Sequence, residues 1–357
     1  MAAAMMRAVV FARKDVEGIK MVSVKRPSFN ATKDKGRLSC RVVCAGINPV
    51  DAKALIGDKL PEWASGMGRR AVEGRTAGFD FSGTVLEVPV GCDKFKVGDA
   101  IFGTMPPGEG SFSEYVVAPL DQVAPKPKTL SFAEAAVLPL SGLTSLQSLV
   151  HDNDLKAGQH LLIIGASGGV GHIALQVAKA SGARVTAICS SRNDAFVRGL
   201  GADDVVDYTK GDAAVREQLQ GICATHGAFD LCLDTVSSLE AKDKTTDYPG
   251  IVRGGEVKLL TGRYITIGGH TGDWMLAGLK RTVGVDLFPK GRMLFWVRFP
   301  KSAGALERLT EMSEGGGLRP VVALEATFEE EPVRGAFAAL HGRRVVGKQC
   351  LRVAPDP

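Results

Sequence analysis

The chain is 357 residues long, with 45% hydrophobic and 23% charged residues, a globular composition that at roughly 150 residues per domain implies about two domains. Its formal net charge of +5 comes from 44 basic and 39 acidic residues spread along the chain, which argues against a nucleic-acid or membrane-surface protein and for small-molecule partners. The 43 glycines among 357 residues exceed the usual level of about 7%, as expected where backbone turns tightly or closely approaches a ligand.

From residue 7 to about 124, short apolar runs broken by turn residues recur at 7–11, 38–45, 78–88, 100–103 and 112–117, the pattern of a small β-rich domain. Residues 1–6 are a short apolar tag before the first strand, which leaves no room for a secretory or long organellar presequence. The seven cysteines are odd in number, scattered and without a CxxC pair, so neither a zinc knuckle nor a disulfide framework is signalled and a reducing compartment is expected. Cys40 and Cys44 fall in one predicted strand, where four steps of about 3.3 Å set them about 13 Å apart, beyond disulfide reach.

Pro125 and Pro127 stop the strands, because proline cannot donate to a ladder, and a boundary is placed after residue 126. Ser131 with Glu134 three residues on forms a capping-box pattern that opens a helical stretch over 132–149 despite Pro139. Strands and helices then alternate. Strands are predicted at 161–164, 184–189, 204–206, 231–233 and 264–267, and helices at 170–180, 194–200 and 213–224. Such alternation favours a parallel sheet with helices on both faces over residues 127–298. Residues 157–178 carry no charge but include His160, His172 and five glycines, and read as strand, turn and helix rather than a membrane span. In the tail, 299–357, a helix at 303–313, a strand near 321, a helix at 333–341 and a strand at 348–353 restore the mixed pattern.

The run Leu161-Leu162-Ile163-Ile164-Gly165-Ala166-Ser167-Gly168-Gly169-Val170-Gly171 puts glycines between an apolar strand and an amphipathic helix. Glycine permits the sharp turn and lets backbone N–H groups reach a pyrophosphate at the helix N-terminus, so Ser167, Gly168, Gly169 and Val170 are candidate cofactor contacts. The next strand ends in Cys189-Ser190-Ser191-Arg192-Asn193, where an NAD site would place an acid on the ribose. Ser190, Ser191 and Arg192 instead offer hydroxyls and a guanidinium suited to a 2′-phosphate, so NADPH is the expected cofactor. The competing reading leaves Arg192 solvated and gives the ribose to Asp194.

With these residues on the page, the chain resembles the medium-chain dehydrogenase/reductase superfamily, in its zinc-free quinone oxidoreductase branch. The segments that carry the resemblance are 45–53 (AGINPVDAK), 78–85 (GFDFSGTV), Val97-Gly98-Asp99, 138–144 (LPLSGLT), the glycine run, and Gly347-Lys348 before the final strand. Residues 190–193 followed by Leu200-Gly201-Ala202-Asp203 look most like plant envelope quinone oxidoreductases and alkenal reductases. The resemblance implies a GroES-like β-rich domain (1–126, completed by 299–357), a Rossmann domain (127–298), and NADPH-dependent reduction of quinones or α,β-unsaturated carbonyls. It also implies that the apolar run 293–297 lies at a dimer or domain seam, and a homodimer is one expected assembly. Where zinc-dependent relatives place a cysteine and a histidine, this chain has Asn48 and Phe79, and residues 99–115 contain no cysteine for a structural zinc, so no metal is expected.

By the same resemblance, Asn48, Asp51 and Lys53 lie on a loop facing the nicotinamide, where an amide and an ammonium can stabilise developing negative charge. The alternative for Asn48 and Asp51 is that they shape the turn around Pro49. Thr144, Tyr208, Ile267 and Lys348 occupy cofactor-side positions of the family, against packing for Thr144 and Tyr208 and an ordinary surface lysine for Lys348. His172 either donates to the pyrophosphate or faces solvent. Phe79, Trp63, Phe102, Phe295 and Trp296 either line a flat quinone pocket or are core. A catalytically idle, NADPH-binding accessory subunit is the second functional reading. The cytosol is the default location, with a plastid or mitochondrial membrane periphery as the alternative.

Overall fold

The computed structural model describes residues 4–12, 19–53, 73–236, 247–254, 257–268, 276–277, 279, 290–342 and 344–357. In chain order the first segment comprises β1 (Met5–Phe11), β2 (Ile19–Lys25), β3 (Arg37–Ile47), α1 (Pro49–Lys53), β4 (Asp80–Glu87), β5 (Ala100–Thr104), β6 (Tyr115–Pro119), β7 (Val123–Pro125), α2 (Phe132–Ala136) and α3 (Pro139–Ser145). Then follow β8 (His160–Ile164), α4 (Gly171–Ala180), β9 (Arg184–Cys189), α5 (Asp194–Gly199), β10 (Asp204–Asp207), α6 (Asp212–His226), β11 (Phe229–Asp234), α7 (Tyr248–Arg253), β12 (Leu260–Thr266) and β13 (Arg292–Leu294). The chain closes with α8 (Ala303–Glu314), β14 (Val322–Thr327), α9 (Glu330–His341) and β15 (Lys348–Arg352).

These elements divide into two units, Met1–Leu143 with Arg298–Pro357 (unit 1) and Thr144–Val297 (unit 2). In unit 1 the main sheet runs β14-β15-β3-β4-β5-β7, with β6 paired to β3 and a separate β1-β2 ribbon. Its core gathers Leu38, Val42, Phe81, Ile101, Phe112, Phe337 and Leu351. The expected boundary after residue 126 is displaced to 143. Phe132, Ala133, Ala136 and Val137 pack with Val43, Cys44 and Cys350, so the apolar face of α2 covers the β3-β15 surface. The single helix expected over 132–149 is broken, since Pro139 cannot donate backward and starts α3 anew, and the stretch ends in a π-helical turn, Leu146–His151.

Unit 2 holds six strands in the order β10-β9-β8-β11-β12-β13, all parallel. Helices cover a sheet whose order reverses between β8 and β11, and in such sheets ligands bind beyond the carboxyl ends of the strands at that reversal. The α/β class with a GroES-like and a Rossmann-type part is therefore as expected. β2, β7 and β13 are strands that the apolar pattern did not announce: Lys20 interrupts β2, Arg292 heads the three-residue β13, and the three-residue β7 ends on Pro125. No helix among the described residues is long and apolar enough to cross a membrane. Residues 157–178 fold as β8, a glycine turn and α4.

Candidate functional site

In unit 2 the glycine turn sits at the sheet reversal. All five residues of β8 are buried, and Gly165, leaving the strand, has φ +79°, which favours glycine. A Cβ at Gly171 would stand 2.2 Å from the Gly165 carbonyl oxygen, so only glycine lets α4 begin this close to the strand exit. The first amides of a helix have no intrahelical acceptor and carry the positive end of its dipole. The residues present thus fit the pyrophosphate of a nicotinamide dinucleotide. His172 neither faces solvent nor is free to meet a phosphate by its Nδ1. It is fully buried, and Nδ1 lies 2.8 Å from the Gly168 carbonyl, which can only accept, so that nitrogen carries the proton and the ring braces the turn.

The turn after β9 is tied to this loop, because Asn193 Nδ2 donates to Ser167 Oγ at 2.9 Å. Ser190 is buried while Ser191 and Arg192 are exposed in a 3-10 turn, Ser191–Asn193. Asp194 opens α5 and accepts from Arg198 Nε at 2.9 Å, so the acid weighed as a ribose ligand is engaged along its own helix. Asp207, which sequence reasoning passed over, braces the region: its Oδ1 accepts from the amides of Ser191 (3.2 Å) and Thr209 (3.0 Å). Tyr208 follows it, 38% exposed. Ile267 is half-buried beyond β12, its amide donating to the Asp234 carbonyl at 3.3 Å, and Thr144 is buried in α3.

In unit 1, four polar residues, from α1, β4, β15 and the turn between β3 and α1, meet in the interior. Asn48 is 2% exposed, Asp51 and Asp80 0%, and Lys348 6%. Asn48 precedes α1, and its amide N–H donates to Asp51 Oδ2 at 2.6 Å, the return half of a capping pair around Pro49. The Asn48 Nδ2 donates to Asp80 Oδ2 at 3.0 Å and approaches the Gly46 carbonyl at 3.5 Å. Its Oδ1 accepts from Lys348 Nζ, and that ammonium stands 3.9 Å from Asp80 Oδ2. Asp80 also accepts the Leu140 amide of α3 at 3.0 Å and 3.1 Å on its two oxygens. Gly347, at φ +79°, turns the chain into β15, and a Cβ there would meet the Val321 carbonyl at 2.5 Å.

Charge inside this cluster is set by burial. Burial pushes Asp80 up to about 6, against the pull of the Lys348 ammonium and the hydrogen bonds from Asn48 and Leu140. Asp51 is raised well above the ordinary carboxylate range, first by burial, with the Asn48 amide and Lys348 opposing. Its Oδ1 is buried without a hydrogen-bond partner, as suits a neutral acid better than a carboxylate. Burial lowers Lys348, while Asp80 and Asp51 hold it up.

Of the three loop candidates, the structure brings Asn48 and Asp51 together with Lys348, which is no surface lysine, and adds Asp80. The sequence signal for Asp80 was an acid set among the apolar and small residues of 77–83. The side chain of Lys53, and Trp63 with the rest of 54–72, lie outside the described residues. Among the aromatics, Phe102 and Phe295 are buried, Trp296 is exposed, and Phe79 stacks on Phe299 with centroids 5.3 Å apart. All seven cysteines are free. Burial raises the thiols of Cys40, Cys189 and Cys232, which keeps them unreactive.

A zinc ion does not fit the unit 1 cluster. Zinc takes three or four His, Cys or carboxylate donors, whereas position 48 is an amide already bonded on both sides, position 79 a stacked phenyl ring, and a buried ammonium faces Asp80. Among the described residues no three His, Cys, Asp or Glu side chains converge to hold a metal.

Comparison with known proteins agrees with this geometry. Residues 34–128 match the family described as Alcohol dehydrogenase GroES-like domain, and residues 169–249 match that described as Zinc-binding dehydrogenase. The chain is 34% identical over 336 residues to NAD(P)H oxidoreductase RTN4IP1, mitochondrial, of Danio rerio, covering 88% of this chain and 83% of that one. It is 40% identical over 148 residues to the chloroplast envelope quinone oxidoreductase homolog of Arabidopsis thaliana, 40% of this chain and 45% of the other. The quinone oxidoreductase structure from Coxiella burnetii superimposes with TM-score 0.72 over 98% of this chain and 100% of its own, at 24% identity, a likeness of fold. Fold and site together define an oxidoreductase dependent on a nicotinamide cofactor. The chain belongs to the medium-chain dehydrogenase/reductase superfamily, its similarity over most of its length being to an NAD(P)H oxidoreductase.

Proposed function

We propose that the protein is an NADPH-dependent, zinc-independent reductase of quinones or α,β-unsaturated carbonyls. The observation that carries this reading is the unit 1 cluster, an ammonium and two carboxyl groups around an amide where a zinc-dependent relative needs metal donors. Without a Lewis acid, simple alcohol oxidation lacks its electrophile, whereas a conjugated ring or enone accepts hydride directly. The names of the relatives, an NAD(P)H oxidoreductase and a quinone oxidoreductase homolog, support the same choice.

When bound, the nicotinamide supplies a hydride to the electron-poor carbon, and a solvent proton completes the two-electron reduction. This chain's residues bind and orient. The first amides of α4 with Ser167 take the pyrophosphate, and Ser190, Ser191 and Arg192 take the 2′-phosphate, Arg192 engaging no acid among the described residues. Thr144, Tyr208, Ile267 and Lys53 remain cofactor- or substrate-side positions by resemblance. Asn48 acts as a brace rather than as an oxyanion donor, since its amide hydrogens point at Asp80 and Gly46.

The inward commitment of Asn48 also favours, as second reading, an idle cofactor-binding accessory subunit. Relatives named for the mitochondrion and the chloroplast envelope support an organelle rather than the cytosol. One assay separates the readings: NADPH oxidation against a panel of quinones, enones and simple alcohols. Turnover is expected with the first two, insensitive to chelators, with deuteride from labelled NADPH at the enone β-carbon. NADPH should bind about tenfold or more tighter than NADH, since a charge-assisted contact contributes about 1.5–3 kcal/mol, and Arg192→Ala should remove most of that gap. Alcohol oxidation, or no turnover with any acceptor, overturns the reductase reading.

A further inference from the structure

The disagreement between the unit 1 residues and a metal site is itself informative, because the cluster that rejects zinc already contains a cation. Lys348 enters from β15, Asp80 from β4, Asn48 from the turn between β3 and α1 and Asp51 from α1, and 300 residues separate Lys348 from the amide that accepts its hydrogen bond. A lysine this deeply buried loses solvation that surface lysines keep, and chains bear that loss only where a partner charge and hydrogen bonds compensate it. Here Asp80 is the partner charge, at 3.9 Å, and the Asn48 carboxamide bridges the two, accepting from the ammonium on one side and donating to the carboxylate on the other.

We propose that Lys348 is a resident cation of unit 1, standing in charge where zinc-dependent relatives carry their metal, and that Asp80 is the positioning residue that holds this ammonium against the Asn48 amide. This deepens the reductase reading and rests on it for its purpose. An ammonium fixed in a low-dielectric interior stabilises negative charge arising nearby far more than a solvated one, at no cost of reorganisation during the reaction. The negative charge in question is the enolate or hydroquinone oxygen formed when an enone or quinone takes up hydride.

The titratable groups facing the ammonium are Asp80, Asp51 and, from its own strand, Cys350. With Asp51 kept neutral by burial, one ammonium balances one carboxylate and the cluster is uncharged overall. The amide at position 48 suits this bridge, since one planar group presents an acceptor oxygen to the ammonium and N–H donors to the carboxylate and, unlike an imidazole or a thiol, does not titrate.

The test compares the full-length protein with Asp80→Asn, Lys348→Met and the Asp80→Asn/Lys348→Met double variant. Thermal unfolding, NADPH titration by fluorescence, and kcat and KM with one quinone and one enone across pH 5.5–9 are the readouts. Each single variant strands one charge in the interior and should unfold at a lower temperature. The double variant removes both charges, so it should regain its unfolding midpoint and NADPH affinity while kcat falls about 100-fold at little-changed KM. A double variant that regains both midpoint and kcat makes the pair a brace alone and overturns the proposal. If the double variant stays unstable, Lys348→Arg decides. Arginine keeps the charge, so kcat should fall far less than in Lys348→Met, and equal losses refute the cation. If the unaltered protein reduces no acceptor, the reductase reading fails by itself. The unfolding cycle then still tests the charge pair, and additive single effects would overturn it.

Discussion

At the scale of single residues, the interior cluster makes Asp51 the most informative position. Its carboxyl is fully buried with one oxygen unpartnered, and burial raises its pKa well above the ordinary range, with the neighbouring Asp80 adding to the rise and Lys348 opposing it. A folded-state pKa above the unfolded value means that the stabilising contribution is complete below about pH 4 and is lost as pH rises through the folded value. Asparagine keeps the acceptor for the Asn48 amide but cannot ionise. Asp51→Asn should therefore gain on the original protein as pH rises from about 4.5 to 7.5, by up to about 1.4 kcal/mol per pH unit. Urea unfolding at both pH values measures this, and stability curves that stay parallel would show that Asp51 is ionised in the fold.

At the scale of elements, the glycine turn and α4 were legible in the sequence because strand, turn and helix signals coincide within eleven residues, 161–171. The docking of α2 was not. The apolar face of 132–137 is evident as a pattern, but periodicity does not say which sheet a helix covers, and α2 packs on β3 and β15 rather than on the parallel sheet. Asp80, and its pairing with the candidate Lys348, escaped for a related reason. Each is unremarkable in its own strand, and their pairing is made by β15 lying beside β3 and β3 beside β4, a register that no local window contains. His172 looked like a helix-surface residue, and only the return bond to Gly168 explains its burial. The glycine turn also yields a prediction. Gly171→Ala would put a Cβ 2.2 Å from a backbone oxygen that cannot rotate away, so α4 must shift. A loss of about 1–3 kcal/mol in stability is expected, with at least about tenfold weaker NADPH binding by fluorescence titration. Gly199→Ala on α5, where an added Cβ meets nothing within 4 Å, is the control. Equal behaviour of the two variants would refute the close-approach argument.

At the scale of the whole molecule, unit 1 is built from two stretches of chain with all of unit 2 between them. β15 pairs with β14 on one side and β3 on the other, and brings the buried Cys350, Leu351 and Val353 to the sheet. Removing residues 347–357 deletes the strand that joins the late part of the sheet to the early part, together with Lys348. In limited proteolysis the truncated chain should be cut readily within 37–47 and 80–87, while a fragment from 144–297 persists. A truncated chain whose β3 and β4 resist digestion as well as in the full-length protein would show that the early strands fold without β15.

That arrangement also sets an order on the ribosome. The parallel sheet can be complete before the last sixty residues are made, since β8 to β13 all precede Arg298. The early strands, at 37–125, have no such autonomy, because β15 has not yet been translated. At about 5–20 residues per second, β3 and its apolar neighbours wait on the order of ten seconds to a minute for their last partner. During that interval an open strand edge is offered to any chaperone, or to any other nascent chain, that reaches it first.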